Sequence, residues 1–176
     1  GDACGKFITD TFGEEAVDVL VLDYPDIESI VPRGDGMRDG VKEFAPNANI
    51  VQSISANTVE KGTAAMETAI QKFPNIQVVI GCNDAAALGA YSVVEAQHLA
   101  ENNDKFYIGG MDGTDQALEL IKSGTAYKAS VDINASGTGK ILVDTALQVR
   151  ENGPIEEPVS IPLNVVTPEN VDEFIK

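Results

Sequence analysis

A chain of 176 residues with 43% apolar side chains can bury a sizeable core as one domain, or one domain with an appendage, and is too apolar to be disordered. Its formal charge of −16 argues against nucleic acid as a partner, because phosphate binding needs clustered Lys and Arg. No apolar run approaches the ~18 residues of a membrane-spanning helix. Cys4 and Cys82 are too few for a disulfide framework and lack metal-ligand spacing, although a single bridge between them stays open. Gly1 is not a natural start, so the chain reads as processed or trimmed, and the absence of a leader says nothing about compartment.

In chain order, Asp2 can cap a first helix that runs to Phe12 and stops at Gly13. Val17–Leu22 (VDVLVL) is a first strand whose near-continuous apolar run implies burial on both faces. A loop over 23–32 leads to a helix over 33–45 that ends at Pro46, and Asn49–Ile54 is the second strand. Thr58 caps a helix in which Val59, Gly62, Met66, Ala69, Ile70 and Phe73 recur at helical spacing. Val78–Gly81 is the third strand, followed by a helix over 84–99. Phe106–Gly110 is the fourth strand, Thr114–Ser123 a short helix, and Tyr127–Ile133 the fifth strand. A helix over 136–151 stops at Gly153–Pro154. A polar connector over 156–158, a last strand over 160–166 and a terminal helical turn over 168–175 complete the chain.

Five strands alternating with helices call for right-handed crossovers and a mostly parallel sheet covered on both faces. The expected fold class is therefore α/β, a flavodoxin-like doubly wound lobe with a five-stranded sheet plus a returning carboxyl-terminal strand. Such a sheet gathers the residues just past each strand's carboxyl end on one rim, where open α/β sheets bind ligands. Here they are Arg33 after strand one, Asn57 after strand two, Asn83 and Asp84 after strand three, Asp112 after strand four, and Asp132 with Asn134 at strand five. Carboxylates accept hydrogen bonds from hydroxyls, amides donate and accept, and a guanidinium donates a planar fork, so the set suits a neutral, hydroxyl-rich small molecule. Asp and Asn at such positions also cap helices, and Asp84 is read as a cap rather than a contact. Capping does not account for Arg33.

Catalytic chemistry has little support. His98 is the single histidine and sits late on a helix, which leaves no Ser-His-Asp or Cys-His couple. No His and Cys cluster offers a zinc or iron site. Gly34–Asp35–Gly36 lacks the spacing of a dinucleotide fingerprint, and the strand-end loops present carboxylates where a phosphate cofactor needs amides and cations. Neither an enzymatic activity nor a cofactor is expected.

Three motifs taken together carry a resemblance. Cys82–Ala90 (CNDAAALGA) resembles the NDxxALGA segment, Gly109–Gly113 (GGMDG) the GxDG turn, and Arg33–Met37 (RGDGM) the RxxGF helix start of ribose-type periplasmic sugar-binding proteins of bacterial ABC transporters. The resemblance implies that Arg33, Asn83 and Asp112 match that family's sugar-contacting arginine, asparagine and aspartate. Asp132 stands where relatives carry a glutamine or similar contact, and Asn57 where many place a stacking aromatic. Both departures leave the sugar unassigned.

By this resemblance residues 1–134 correspond to the carboxyl-terminal lobe of a two-lobed protein. Residues 135–158 form a crossover helix that normally packs on the absent amino-terminal lobe, and residues 159–176 form a returning strand and terminal helix. The apolar stripe Ile141, Leu142, Ala146 and Val149 would lack its partner, so the helix is expected to fold back on this lobe or to self-associate. The implied function is binding of a monosaccharide or similar polyol for a membrane permease, in the periplasm or on a surface lipoprotein. The alternatives are the effector core of a lac-repressor-like regulator, or a sugar-sensing lobe for a receptor.

Overall fold

In a computed structural model, which describes residues 1–101 and 103–175, six strands form one sheet in the order β2-β1-β3-β4-β5-β6. The strands are β1 (Val17–Asp23), β2 (Ala48–Ser55), β3 (Ile76–Gly81), β4 (Tyr107–Asp112), β5 (Tyr127–Asp132) and β6 (Asn164–Val166). β1 to β5 pair in parallel and β6 returns antiparallel to β5. The parallel part has the flavodoxin-like order, with β1 as the strand from which the chain winds outward in both directions.

The helices are α1 (Asp2–Phe12), α2 (Val31–Phe44), α3 (Val59–Lys72), α4 (Asp84–Ala96), α5 (Asp115–Lys122) and α6 (Ala135–Asn152). Residues of β1 alternate between two cores. Leu20 and Leu22 join Met66, Val79, Val93 and Ile108 under α3, α4 and α5, while Val17, Val19 and Val21 join Ile8, Met37 and Val41 under α1 and α2. Burial on both faces is the reason that β1 reads as an unbroken apolar run.

Backbone contact seats α4 on α3. A methyl group added at Gly62 would lie 2.1 Å from the carbonyl oxygen of Ala86, and one at Gly89 would lie 2.2 Å from that of Val59. Only hydrogen fits at these two positions, so one glycine on each helix sets how closely α3 and α4 approach.

Several expectations are corrected. Asp2 lies in the first turn of α1, and Gly1 holds the cap position without a side-chain bond. His98 stands beyond the end of α4 in a left-handed backbone conformation, not within the helix. The last strand is confined to Asn164–Val166, because Pro162 has no N–H to give a sheet. The terminal turn is a short 3₁₀ segment, Val171–Glu173. Cys4 and Cys82 are buried free thiols rather than a bridge.

Helix α6 does not fold back on the lobe. Leu142 is 62% exposed, Val143 60% and Leu147 44%, so its apolar side faces outward. Ile155, Val159, Ile161, Leu163 and Val165 beyond it are exposed as well.

Candidate functional site

The rim is built from the first residues after each parallel strand. Arg33 enters it because Pro32 stands at the start of α2, where a fixed φ and a missing N–H are no handicap, and places Arg33 in the first turn above β1. Arg33 Nη1 donates to the carbonyl oxygen of Cys82 at 3.0 Å and to Asp112 Oδ1 at 3.3 Å. The two side chains are about equally half-buried, at 28% and 32% exposure, so the pair is open to solvent on one side.

Asn83 continues the chain of contacts. Its Oδ1 accepts the Ala86 N–H at 2.9 Å, which makes Asn83, and not Asp84, the N-cap of α4. Its Nδ2 donates to the carbonyl oxygen of Asn57 at 2.9 Å. An amide has two donors and two acceptor lone pairs, so one of each remains on Asn83 after both bonds. The Oδ1 of Asn57 is buried without a hydrogen-bond partner. The Arg33–Asp112 pair and the Asn83–Asn57 pair thus meet at the Cys82–Asn83 backbone, at the switch between β1 and β3.

Asp132 stands beside this set rather than in it. It pairs in register with Asp112 across β4 and β5. Its carboxylate accepts the Asn134 N–H at 2.9 Å and an Asn164 amide N–H at 3.5 Å, and it lines a crevice with Gly113, Asn134, Asn164 and Phe174.

Two buried carboxylates brace the rim from below. Asp23, at the end of β1, accepts the Tyr24 N–H and the Arg38 Nη1 donor, each at 2.6 Å, while Arg38 Nη2 reaches Asp35 at 2.8 Å. Gly34 lies directly over Asp23, since a methyl there would sit 2.3 Å from its Oδ1. Asp84 is fully buried and accepts four hydrogen bonds, from Thr114 N at 2.8 Å, Thr114 Oγ1 at 2.9 Å, Tyr127 OH at 2.9 Å and Ser130 Oγ at 2.7 Å. A buried carboxylate is tolerated when its lone pairs are used in this way. Reading Asp84 as a cap missed this role, because the donors lie 30 to 46 residues further along the chain.

Burial raises the pKa of Asp112 above the ordinary carboxylate value; the Arg33 charge opposes the shift and the nearby Asp84 carboxylate adds to it. Burial also raises the Cys82 thiol, with the Asp23 carboxylate acting in the same direction. Tyr127 is held well above its usual value by burial and by Asp84. Among the described residues no group of three or more His, Cys, Asp or Glu is placed to hold a metal ion. No described helix is long and apolar enough to cross a membrane.

The periplasmic binding protein domain matches residues 1–153. The chain belongs to that family. A putative rhizopine-binding protein from Rhizobium meliloti is 33% identical over 126 residues, which cover 71% of this chain and 40% of the relative. The ribose import binding protein of Haemophilus influenzae is 26% identical over 168 residues, 95% of this chain and 55% of the relative. Among solved structures, an ABC transporter solute binding protein from Bacillus halodurans with bound myo-inositol shares 26% identity at a TM-score of 0.80. It matches 98% of this chain, which spans 60% of it. One from Actinobacillus succinogenes with bound D-allose shares the fold at a TM-score of 0.83 and 24% identity. This periplasmic binding protein chain thus spans about half the length of the curated relatives it matches.

Proposed function

We propose that this chain is the carboxyl-terminal lobe of a two-lobed periplasmic or cell-surface protein that binds a neutral sugar or polyol and delivers it to an ABC transporter permease. The observation that carries the reading is the linked set Arg33, Asp112, Asn83 and Asn57 at the strand ends where doubly wound sheets bind ligands. Arg33 supplies a planar cationic donor, Asp112 an acceptor for hydroxyls, Asn83 a donor and an acceptor, and Asn57 its side-chain donor. Asp132 adds a second acceptor on the flank. The set holds no nucleophile beside a base, which supports binding rather than catalysis.

Residues 1–134 are the lobe proper. Residues 135–158, with α6, cross to the amino-terminal lobe, and residues 159–176 return. The outward apolar side of α6 and the half-length match to relatives support this division. Closure of two lobes over the rim would bury the ligand and create the surface that a permease meets. One lobe alone leaves the ligand wet on one face, and its affinity is correspondingly weak.

Calorimetry tests the reading with D-ribose, D-allose and myo-inositol as probes, on the isolated chain and on the intact protein. The expected result is tight binding of at least one probe by the intact protein and binding weaker than about 1 μM by the isolated chain. Sub-micromolar binding by the isolated chain overturns the half-site argument. A DNA-binding head upstream overturns the transport assignment.

A further inference from the structure

We propose that Asp84 is the positioning residue of the rim: it clamps the turn after β4 and thereby holds Asp112 against Arg33. The proposal rests on the site described above and goes beyond it, because Asp84 itself touches no solvent.

The turn after β4 is an unfavourable piece of backbone. Asp112 has φ 124 and Gly113 φ 68, and a left-handed value at an aspartate persists only when surrounding bonds impose it. Those bonds trace to one carboxylate. Asp84 Oδ2 accepts both the N–H and the hydroxyl of Thr114. Asp84 Oδ1 accepts the Ser130 hydroxyl, and the Ser130 oxygen accepts the Gly113 N–H at 3.1 Å. The two residues that follow Asp112 are therefore both tied, directly or through Ser130, to a side chain at the first turn of α4.

Room for the clamp is built into β4. A methyl at Gly110 would lie 2.3 Å from Asp84 Oδ1 and 2.2 Å from the Tyr127 hydroxyl, so only glycine admits the carboxylate beneath the strand. Tyr127 bonds the same Oδ1 without touching the turn, and it provides an internal control. Asn83, one residue before Asp84, carries the adjacent rim group. A single dipeptide therefore supplies one contact and fixes a second contact 28 residues later (84 to 112).

The test is amide hydrogen exchange on this chain, with the Asp112 carboxyl carbon followed by NMR against pH. Asp84→Asn and Ser130→Ala are expected to speed exchange at Gly113 or Thr114 by at least about tenfold relative to the β1 and β3 amides. In Asp84→Asn the Asp112 midpoint should also move down toward its ordinary value. Tyr127→Phe should leave both the ratio and the midpoint unchanged, even where it lowers overall stability. If Asp84→Asn fails to fold, Thr114→Val, which removes one donor, replaces it. Equal loosening of the whole chain in all variants, or an undisturbed turn in Asp84→Asn and Ser130→Ala, overturns the clamp. Neither outcome depends on whether any sugar binds.

Discussion

The guanidinium of Arg33 and the carboxylate of Asp112 meet at 3.3 Å although 79 residues separate them, and each is held by a different half of the sheet. Arg33 comes from the turn above β1, and Asp112 from the end of β4. Burial raises the pKa of Asp112 above its ordinary 3.8 despite the facing cation, so its ionised form is less favoured in the folded chain than in the unfolded one. By linkage, the folded state binds this proton more tightly. The stability contribution of the group is greatest below its ordinary value and falls as pH rises through the folded value. Asp112→Asn therefore stabilises the lobe at neutral pH, by less than about 1 kcal/mol because the pair is partly solvated. Thermal melts of both proteins from pH 7 to pH 3 check this: the advantage of the variant should shrink on acidification. A variant less stable than the parent at pH 7 would refute the sign.

The two thiols should be inert while the chain is folded. Burial raises Cys4 from 9.0 to about 12, which alone cuts its thiolate at neutral pH by roughly a thousandfold. Cys82 is raised too, first by burial. Labelling with a chromogenic disulfide reagent at pH 8 is expected to be slow in buffer and rapid, with two equivalents, in denaturant. Rapid native labelling of either thiol would contradict the packing around α1 and β3.

Much of this architecture is legible in the residues. The unbroken apolar run of β1 announces burial on both faces, and the polar residues that end each run fall on one rim because parallel strands share a direction. The helix over α3 declares itself through Thr58, whose hydroxyl accepts the Lys61 N–H. Asp84 was not legible in the same way. An aspartate after a strand looks like a cap whatever it does, and its partners Tyr127 and Ser130 are 43 and 46 residues distant. Asp23 was passed over for a related reason: its partner Arg38 lies on the following helix, and nothing local marks the carboxylate as buried. Ile161 and Leu163 give residues 160–163 a strand-like apolar pattern, whereas both side chains are exposed and Pro162 interrupts pairing.

Glycine substitutions separate close packing from ordinary helix propensity. Gly89→Ala would drive a methyl to 2.2 Å from the Val59 carbonyl oxygen and 2.7 Å from the Thr63 nitrogen, both backbone atoms. Moving α4 off α3 is expected to cost about 1–3 kcal/mol. Gly36→Ala meets nothing within 4 Å and lies inside α2, so it should be neutral or stabilising by up to about 1 kcal/mol. Urea unfolding of the two variants measures the contrast. Similar midpoints for both would count against backbone contact between α3 and α4.

The apolar side of α6 faces solvent in this chain. Leu142 and Leu147 are five residues apart on a helix none of whose described side chains is buried, so replacing them removes no core contact. Exposed apolar side chains in a row favour association and bind hydrophobic dyes. The isolated chain is accordingly expected to bind such a dye and to show a concentration-dependent mass. Leu142→Lys combined with Leu147→Lys should suppress both while leaving the unfolding midpoint of the lobe within about 0.5 kcal/mol of the parent, as for surface changes generally. If the double variant instead destabilised the lobe by several kcal/mol, α6 would have to pack on the sheet in solution, and the division of the chain at residue 134 would fall. A parent chain that stays monomeric and dye-free would equally remove the argument that this helix awaits a partner.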